Sequence, residues 1–365
     1  MTDDSSPQSR TFANEPRPVL PGDVVAGKYV VERIIGTGGM GQVVAARHET
    51  LGTHVAIKLI HASEASDPEI VERFKREALL MAKLRGDHLV RVHDVGETEY
   101  GVPFIIMDFL EGKDLAALTR AAGGKLPFDA VVDYAIQACE ALAEVHDVGI
   151  VHRDLKPSNL FLAKSPSGKQ SIRVLDFGIA KQRTEKRRSF QLTTQGSIVG
   201  TLQYMAPEQI DGSAEVDPRT DVWGLGSCLY RILTGRLAFP SSSEAELSAA
   251  IFGSYRPPAP HELVPDIPPA LSAIVLRCLE RDPARRFPSM RQLGAALEAL
   301  RKAAIAPPPP SFSKTLPLAQ PAPSFSLPPP SVPVPVARPV SAPPAPTTHG
   351  PSPVIGSRSV SWPRA

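Results

Sequence analysis

The stretch that most constrains this chain is residues 151–159, Val-His-Arg-Asp-Leu-Lys-Pro-Ser-Asn, where several reactive side chains lie a few residues apart. Asp154 can accept a proton from an attacking hydroxyl, and Lys156 can hold a phosphate as a compact charge. The amide oxygen of Asn159 can bind Mg²⁺, which prefers oxygen ligands. Pro157 stiffens the segment. The alternative is a polar surface loop of this composition, and the rest of the chain must decide between the two.

Composition narrows the class of protein. Of the 365 residues, 42% are hydrophobic and the net charge is +2, so nothing global suggests binding to nucleic acid. We find no apolar run of about 18 residues and no apolar signal-peptide core, so no transmembrane helix or signal peptide is predicted. The three cysteines lie far apart among apolar neighbours. This favours free thiols in a reducing cytoplasm over a disulfide or metal site.

The two ends of the chain differ from its middle. Residues 1–22 are polar, and we expect a disordered leader there. Residues 306–365 hold 19 of the 39 prolines, four basic residues and no acidic residue. Such a segment buries too little surface to offset its ordering entropy, so we expect a disordered, Pro-rich tail with polyproline-II character. It would serve as a linker or as a docking segment for partner proteins.

The folded part opens with strand-like patterns. Residues 29–35 lead into a turn, Gly36-x-Gly38-x-x-Gly41, and a second strand follows over 42–47. A Gly-rich turn between two strands is a hairpin, unlike the strand-to-helix turn of a dinucleotide fold. Glycine lets backbone N–H groups approach phosphate oxygens. Taken alone, the turn fits a phosphate cover and an ordinary hairpin equally well.

A lysine and a glutamate form the next candidate pair. Residues 55–60 predict a strand in which Lys58 is the only charge. Residues 68–84 predict a helix whose apolar face also carries Glu77. A buried carboxylate is costly unless it is paired, so we predict a Lys58–Glu77 ion pair. The alternatives are a surface lysine on an edge strand and a Glu77 tilted outward towards Lys75 or Lys83.

The remaining pattern is first β and then mainly helical. We predict strands at 90–95, 103–108 and 172–175, a linker at 109–112, and helices at 115–121, 128–148, 221–233, 269–279 and 290–302. Between them, residues 176–208 show little periodicity, which is uncommon unless the loop is functional. The basic run at 181–188 within it fits a solvated face, or a surface that biases substrate choice.

These motifs together resemble the eukaryotic-like (Hanks-type) serine/threonine protein kinases, most closely the bacterial members. The resemblance rests on the Gly-rich hairpin, Val-Ala-Ile-Lys at 55–58, His-Arg-Asp at 152–154, Asp-Phe-Gly at 176–178 and Ala-Pro-Glu at 206–208. It covers about 28–301. It implies an α+β, bilobal protein-kinase fold with a small, mainly β N-lobe over about 28–108, including one key helix, and a large, mainly α C-lobe over about 112–301.

The resemblance also implies residue roles. Asp154 would be the catalytic proton acceptor, assisted by Lys156, while Asn159 and Asp176 would hold Mg²⁺, with Mn²⁺ as a substitute. Met107 would be the gatekeeper, and the hinge backbone would hydrogen-bond adenine. The residues implied in ATP binding are Ile35, Gly36, Thr37, Gly38, Gly39, Met40, Gly41, Val43, Ala56, Lys58, Glu77, Met107, Asp108 and Leu110.

Further residues are implied in structure and regulation. Glu208 should pair with Arg286. Asp221 should brace the backbone of the catalytic loop, residues 151–159. Thr201, together with Lys156, marks the serine/threonine branch. Arg153 would bind a phosphate on the activation loop, residues 176–208. The candidate autophosphorylation sites are Thr193, Thr194 and Ser197.

The expected function is a cytoplasmic ATP- and Mg²⁺-dependent protein serine/threonine kinase that acts on protein substrates. One rival is a scaffold with a kinase fold, against which the intact set of Lys58, Asp154 and Asp176 argues. The other is a small-molecule phosphotransferase, against which the hydroxyl-rich loop and Ala206-Pro207-Glu208 argue. Oligomeric state stays open, although bacterial relatives often form homodimers through the N-lobe.

Overall fold

The computed structural model describes residues 17–38, 41–165, 167–176, 202–212 and 216–305. Several predictions lie outside these ranges. They concern residues 1–16, the tail at 306–365, Gly39, Met40, Thr193, Thr194, Ser197 and Thr201.

An antiparallel six-stranded sheet forms the N-terminal part. Its strands are β1 (Val24–Val25), β2 (Tyr29–Gly38), β3 (Gly41–His48), β4 (His54–Ile60), β5 (Val92–Glu97) and β6 (Pro103–Asp108). They lie in the order β1-β2-β3-β4-β6-β5. Alternate residues of β3, β4 and β6 point into one core with Val44, Ile57 and Ile106 at its centre.

Helix α1 (Pro68–Met81) packs on this sheet. The Asp67 side chain accepts a hydrogen bond from the Glu69 amide, and Pro68 occupies the first turn, both ordinary helix-start features. Phe74, Glu77 and Met81 share the buried face, as predicted. The helix ends three residues before the predicted Leu84, because residues 82–84 continue as hydrogen-bonded turns.

The C-terminal part is mainly helical. A three-stranded sheet, β7 (Gly112–Asp114), β8 (Leu160–Lys164) and β9 (Gln170–Val174), lies beside the catalytic loop. The helices are α2 (Leu115–Ala121), α3 (Phe128–Asp147), α4 (Pro207–Asp211), α5 (Pro218–Thr234), α6 (Glu244–Phe252), α7 (Pro260–Leu263), α8 (Pro269–Cys278) and α9 (Met290–Ile305). Single 3₁₀ turns occupy Pro157–Asn159 and Pro283–Arg285.

One apolar core joins these helices. Leu142 of α3, Trp223 and Leu225 of α5, and Leu293 of α9 are all fully buried in it. The Trp223 ring stacks on Phe239 with centroids 5.3 Å apart. The core fixes α5, and therefore Asp221, against the loop at 151–159. Among the described helices, none combines the length and apolar character needed to span a bilayer.

The N-lobe begins earlier in the chain than predicted. Val19 is buried in the N-lobe core, and its carbonyl accepts a hydrogen bond from the Gln42 side chain at 2.8 Å. Arg17 forms an ion pair with Asp23 at 2.9 Å. The predicted leader at 1–22 is therefore wrong from residue 17 onwards, and the N-lobe begins before residue 28. A single buried valine in a polar stretch left no periodic signal.

Candidate active site

Lys58 lies at the centre of the first group of site residues. It is on β4, between β3 and β6, so the edge-strand alternative is wrong. Its Nζ lies 3.4 Å from Oε1 of Glu77 on α1, and 3.0 Å from Oδ1 of Asp176. The predicted ion pair with Glu77 is therefore present. The lysine also links the N-lobe sheet to the segment that follows β9.

The charges in this group stabilise one another. Burial lowers the pKa of Lys58, but the carboxylates of Asp176 and Glu77 outweigh it, and the pKa is raised overall. The charge of Lys58 lowers the pKa of Asp176, despite the opposing effect of burial. Both groups are consequently ionised at neutral pH. Asp176 has a φ of 48°, a left-handed conformation that is costly for a residue with a side chain.

The Gly-rich hairpin is formed by β2 and β3, next to the strand that carries Lys58. Strands β2 and β3 pair as far as Gly38 opposite Gly41, with Ile35 and Thr37 on β2. A Cβ on Gly41 would lie 1.9 Å from the Leu59 carbonyl oxygen, whereas one on Gly36 would meet nothing within 4 Å. Gly41 is therefore required by the close approach of β3 to β4.

Neighbouring strands place the other predicted nucleotide contacts around Lys58. Val43 lies opposite Lys58, and Ala56 lies opposite Met107. Asp108 ends β6, its backbone amide donates to the Arg91 carbonyl at 3.0 Å, and Leu110 follows two residues later. Val43, Ala56 and Met107 therefore lie on the same face of the sheet as Lys58.

The second group is the catalytic loop. Lys156 Nζ lies 3.1 Å from Oδ2 of Asp154. The side-chain nitrogen Nδ2 of Asn159 donates to the backbone carbonyl of Asp154 at 2.8 Å and to Oδ2 of Asp154 at 3.2 Å. The Leu175 amide donates to the Asn159 carbonyl at 2.9 Å, which brings Asn159 beside the residue preceding Asp176. The two groups therefore form one site.

Asp221 braces the backbone of this loop, as predicted. Its Oδ2 accepts from the His152 amide at 2.8 Å, and its Oδ1 accepts from the Arg153 amide at 2.8 Å. A third bond, from Nε2 of His146 to Oδ2 at 2.7 Å, was not predicted. His146 gave no signal in the sequence because its partner lies 75 residues away.

His152 is buried beneath the loop. Its Nε2 donates to the Leu175 carbonyl at 2.9 Å, and its Nδ1 accepts from the Asp154 amide at 3.2 Å. This pattern needs the neutral ring. Burial lowers the pKa of His152 in spite of the nearby carboxylates, which agrees with that form.

The predicted pair of Glu208 and Arg286 anchors the surrounding lobe. Nη1 and Nη2 of Arg286 donate to the two carboxylate oxygens at 2.7 and 2.9 Å. Thr220 also donates to Glu208, at 2.7 Å, a contact that the sequence did not indicate.

A match to the family model of the protein kinase domain covers residues 29–296. The chain belongs to the protein kinase family. A probable serine/threonine-protein kinase of Clostridium acetobutylicum is 36% identical over 74% of this chain and 40% of its own length. The serine/threonine-protein kinase Pkn1 of Myxococcus xanthus is 39% identical over 75% of this chain and 38% of its own length. Its relatives are thus bacterial Hanks-type kinases, and the chain spans about two fifths of the length of these two.

A solved structure shows the same fold. The PknI kinase domain of Mycobacterium tuberculosis is 29% identical, with a TM-score of 0.60 over 78% of this chain and 99% of that one. The predicted α+β bilobal kinase fold is confirmed.

Proposed function

We propose that the protein is an ATP- and Mg²⁺-dependent serine/threonine kinase that transfers the γ-phosphoryl group of ATP to hydroxyls of protein substrates. The observation that carries this proposal is the position of Lys58 between Glu77 and Asp176, at 3.4 and 3.0 Å. This ion-paired lysine links β4, α1 and the segment that follows β9, next to the loop that holds Asp154. Phosphoryl transfer depends on such positioning and charge more than on covalent chemistry.

The residues present fit a nucleotide with its metal ion. The nitrogen of Asn159 is used in bonds to Asp154, so its oxygen is the atom suited to Mg²⁺. Asp176 supplies a carboxylate whose lowered pKa keeps it charged. Among the described residues, no group of three or more His, Cys, Asp or Glu side chains is placed to hold a metal ion. Mg²⁺ is usually held by one or two protein ligands together with substrate phosphates, and Asn159 and Asp176 would be those ligands.

The chain's own groups then divide the work. Lys58 would bind the nucleotide phosphates, and Mg²⁺ when bound would neutralise charge on them. The Asp108 amide is occupied by Arg91, so the hinge would offer adenine the Asp108 carbonyl and the Leu110 amide. Asp154 would accept the proton of the attacking serine or threonine hydroxyl. Lys156 lies beside that carboxylate and would hold the transferred phosphoryl group in place.

Regulation, location and partners are further parts of the proposal. We infer that phosphorylation at Thr193, Thr194 or Ser197 orders the activation loop through bonds from the phosphate to Arg153. The backbone of Arg153 is fixed by Asp221. Three free, buried cysteines support a cytoplasmic enzyme. An N-lobe homodimer and docking of partners by the Pro-rich tail remain predictions.

The test is mass spectrometry of the purified chain after incubation with Mg·ATP, beside an Asp154→Asn variant. We expect phosphoserine or phosphothreonine in the wild type and none in the variant. Bound ATP without any phosphate on protein would contradict the proposal. Equal phosphorylation of both proteins would contradict the role of Asp154.

A further inference from the structure

Gln209 connects the segment that contains Ala206-Pro207-Glu208 to the catalytic loop. It lies in α4, directly after Glu208, and its side chain is half-buried. Its Oε1 accepts a hydrogen bond from the Ala206 amide at 3.1 Å. Its Nε2 donates to the Arg153 carbonyl at 2.9 Å. The first bond fixes the orientation of the carboxamide, because only oxygen can accept from a backbone N–H. The nitrogen is thereby directed at Arg153.

Arg153 has a backbone conformation that such a contact stabilises. Its φ of 66° is left-handed, a conformation that non-glycine residues hold only where their surroundings over-determine it. Its amide donates to Asp221 at 2.8 Å, and its carbonyl accepts from Gln209. Two side chains from different helices, α5 and α4, therefore hold the two polar backbone atoms of this one residue.

The peptide group between Arg153 and Asp154 is held at both of its polar atoms. Gln209 binds its carbonyl oxygen, and Nδ1 of His152 accepts from its N–H at 3.2 Å. This group leads directly into the Cα of Asp154, so the orientation of its plane helps to set the direction of the Cα–Cβ bond that carries the Asp154 carboxylate. The contacts of Asp221 and His152 with the catalytic loop are described above, whereas Gln209 reaches the loop from α4.

We propose that Gln209 is a positioning residue for phosphoryl transfer, which sets the orientation of Asp154 through the Arg153 carbonyl. The inference rests on the proposed function. A misplacement of a catalytic group by about 1 Å can cost on the order of a hundredfold in rate. Through the same contact, Asp154 would move together with the segment that contains Ala206.

Two variants separate the two hydrogen bonds. Gln209→Glu keeps an acceptor for the Ala206 amide but removes the donor to Arg153. Gln209→Met keeps the length of the side chain and removes both bonds. Gln292→Glu is the matched control, because it adds the same charge at an exposed position of α9.

The first readout is steady-state phosphorylation of myelin basic protein with Mg·ATP. We expect kcat to fall about tenfold to a hundredfold in Gln209→Glu and in Gln209→Met, with both KM values within about twofold of wild type. Gln292→Glu should match wild type. A Gln209→Glu variant with wild-type kcat, or one that changes only the KM for the protein acceptor, would overturn the proposal.

The second readout does not depend on activity. Amide hydrogen exchange across residues 152–155 should be faster in both Gln209 variants than in wild type and in Gln292→Glu. If the wild type transfers no phosphate, the proposed function fails, and this exchange still decides the role of Gln209. Unchanged exchange would refute the proposal whatever the activity.

Discussion

Arg286 and Glu208 form a buried, bidentate ion pair 78 residues apart in the chain, with N···O distances of 2.7 and 2.9 Å. The guanidinium also donates to the carbonyls of Arg219, Arg281 and Glu280. It lies 5.1 Å from the Trp223 ring. The pair therefore ties α4, α5 and the turn before α9 together at the base of the catalytic loop.

Removing one partner of this pair should be strongly destabilising. Arg286→Ala leaves Glu208 as an uncompensated buried carboxylate, and we expect a loss of about 3–5 kcal/mol in the free energy of unfolding. The control is Arg285→Ala, whose side chain is exposed and lies 3.8 Å from Asp282, with an expected change within about 0.5 kcal/mol. Urea denaturation measures both. Similar stabilities for the two variants would show that the buried pair contributes little.

The same pair predicts a pH dependence. Burial raises the pKa of Glu208, but the hydrogen bonds and charge of Arg286 outweigh it, so the folded-state pKa is lowered from 4.5. A lowered pKa stabilises the fold above the unfolded-state value, and the benefit is lost as pH falls through the folded-state value. The stability gap between wild type and Glu208→Gln should therefore narrow from about pH 7 to about pH 3.5. A constant gap in urea unfolding at the two pH values would contradict this.

Gly41 and Gly36 belong to the same hairpin but should differ in tolerance. Gly41→Ala would drive a methyl group into the Leu59 carbonyl, so β3 and β4 must shift apart. We expect a cost of about 1–3 kcal/mol, as for other overpacked sites. Gly36→Ala has open space and should cost under about 1 kcal/mol. Thermal unfolding of the two variants distinguishes them, and equal melting temperatures would disprove the close-approach argument.

Glu77 should matter for activity through Lys58. Gln at position 77 keeps the shape but removes the charge that lies 3.4 Å from Nζ, so Lys58 loses one of its two carboxylate partners. We expect the rate of phosphoryl transfer to fall on the order of a hundredfold. Glu69→Gln is the control, since Glu69 lies on the exposed side of α1 and pairs with Arg73. A rate for Glu77→Gln equal to that of Glu69→Gln would refute this role.

The sequence predicted the elements that carry strong local signals. The Lys58–Glu77 pair followed from a lone charge in an apolar strand and a carboxylate on an apolar helix face. Helix α2 was predicted with its observed bounds, as was strand β6. Strand β5 was placed two residues too early, since its polar residues give no alternation.

Other elements depended on contacts that the sequence does not display. Strand β8 was missed because five residues after the catalytic loop are too few for a periodic pattern, and pairing with β7 and β9 defines it. Helix α6 was not predicted, although Ser243 and Glu246 mark its start, with the Ser243 hydroxyl accepting from the Glu246 amide. In the sequence, Gln209 is only the residue that follows Ala206-Pro207-Glu208. Its proposed role follows from its hydrogen bond to Arg153, which lies 56 residues away in the chain.

We propose that Asp154, beside an ion-paired Lys58, accepts the proton in phosphoryl transfer to protein. The most direct measurement is the initial rate of phosphate transfer from Mg·ATP to myelin basic protein. It compares wild type, Asp154→Asn, Lys58→Met and the exposed-site control Asp266→Asn. We predict that wild type and Asp266→Asn transfer phosphate at equal rates, and that the other two fall by on the order of 10² or more. A wild-type rate no higher than that of Asp154→Asn would rule out Asp154 as the proton acceptor.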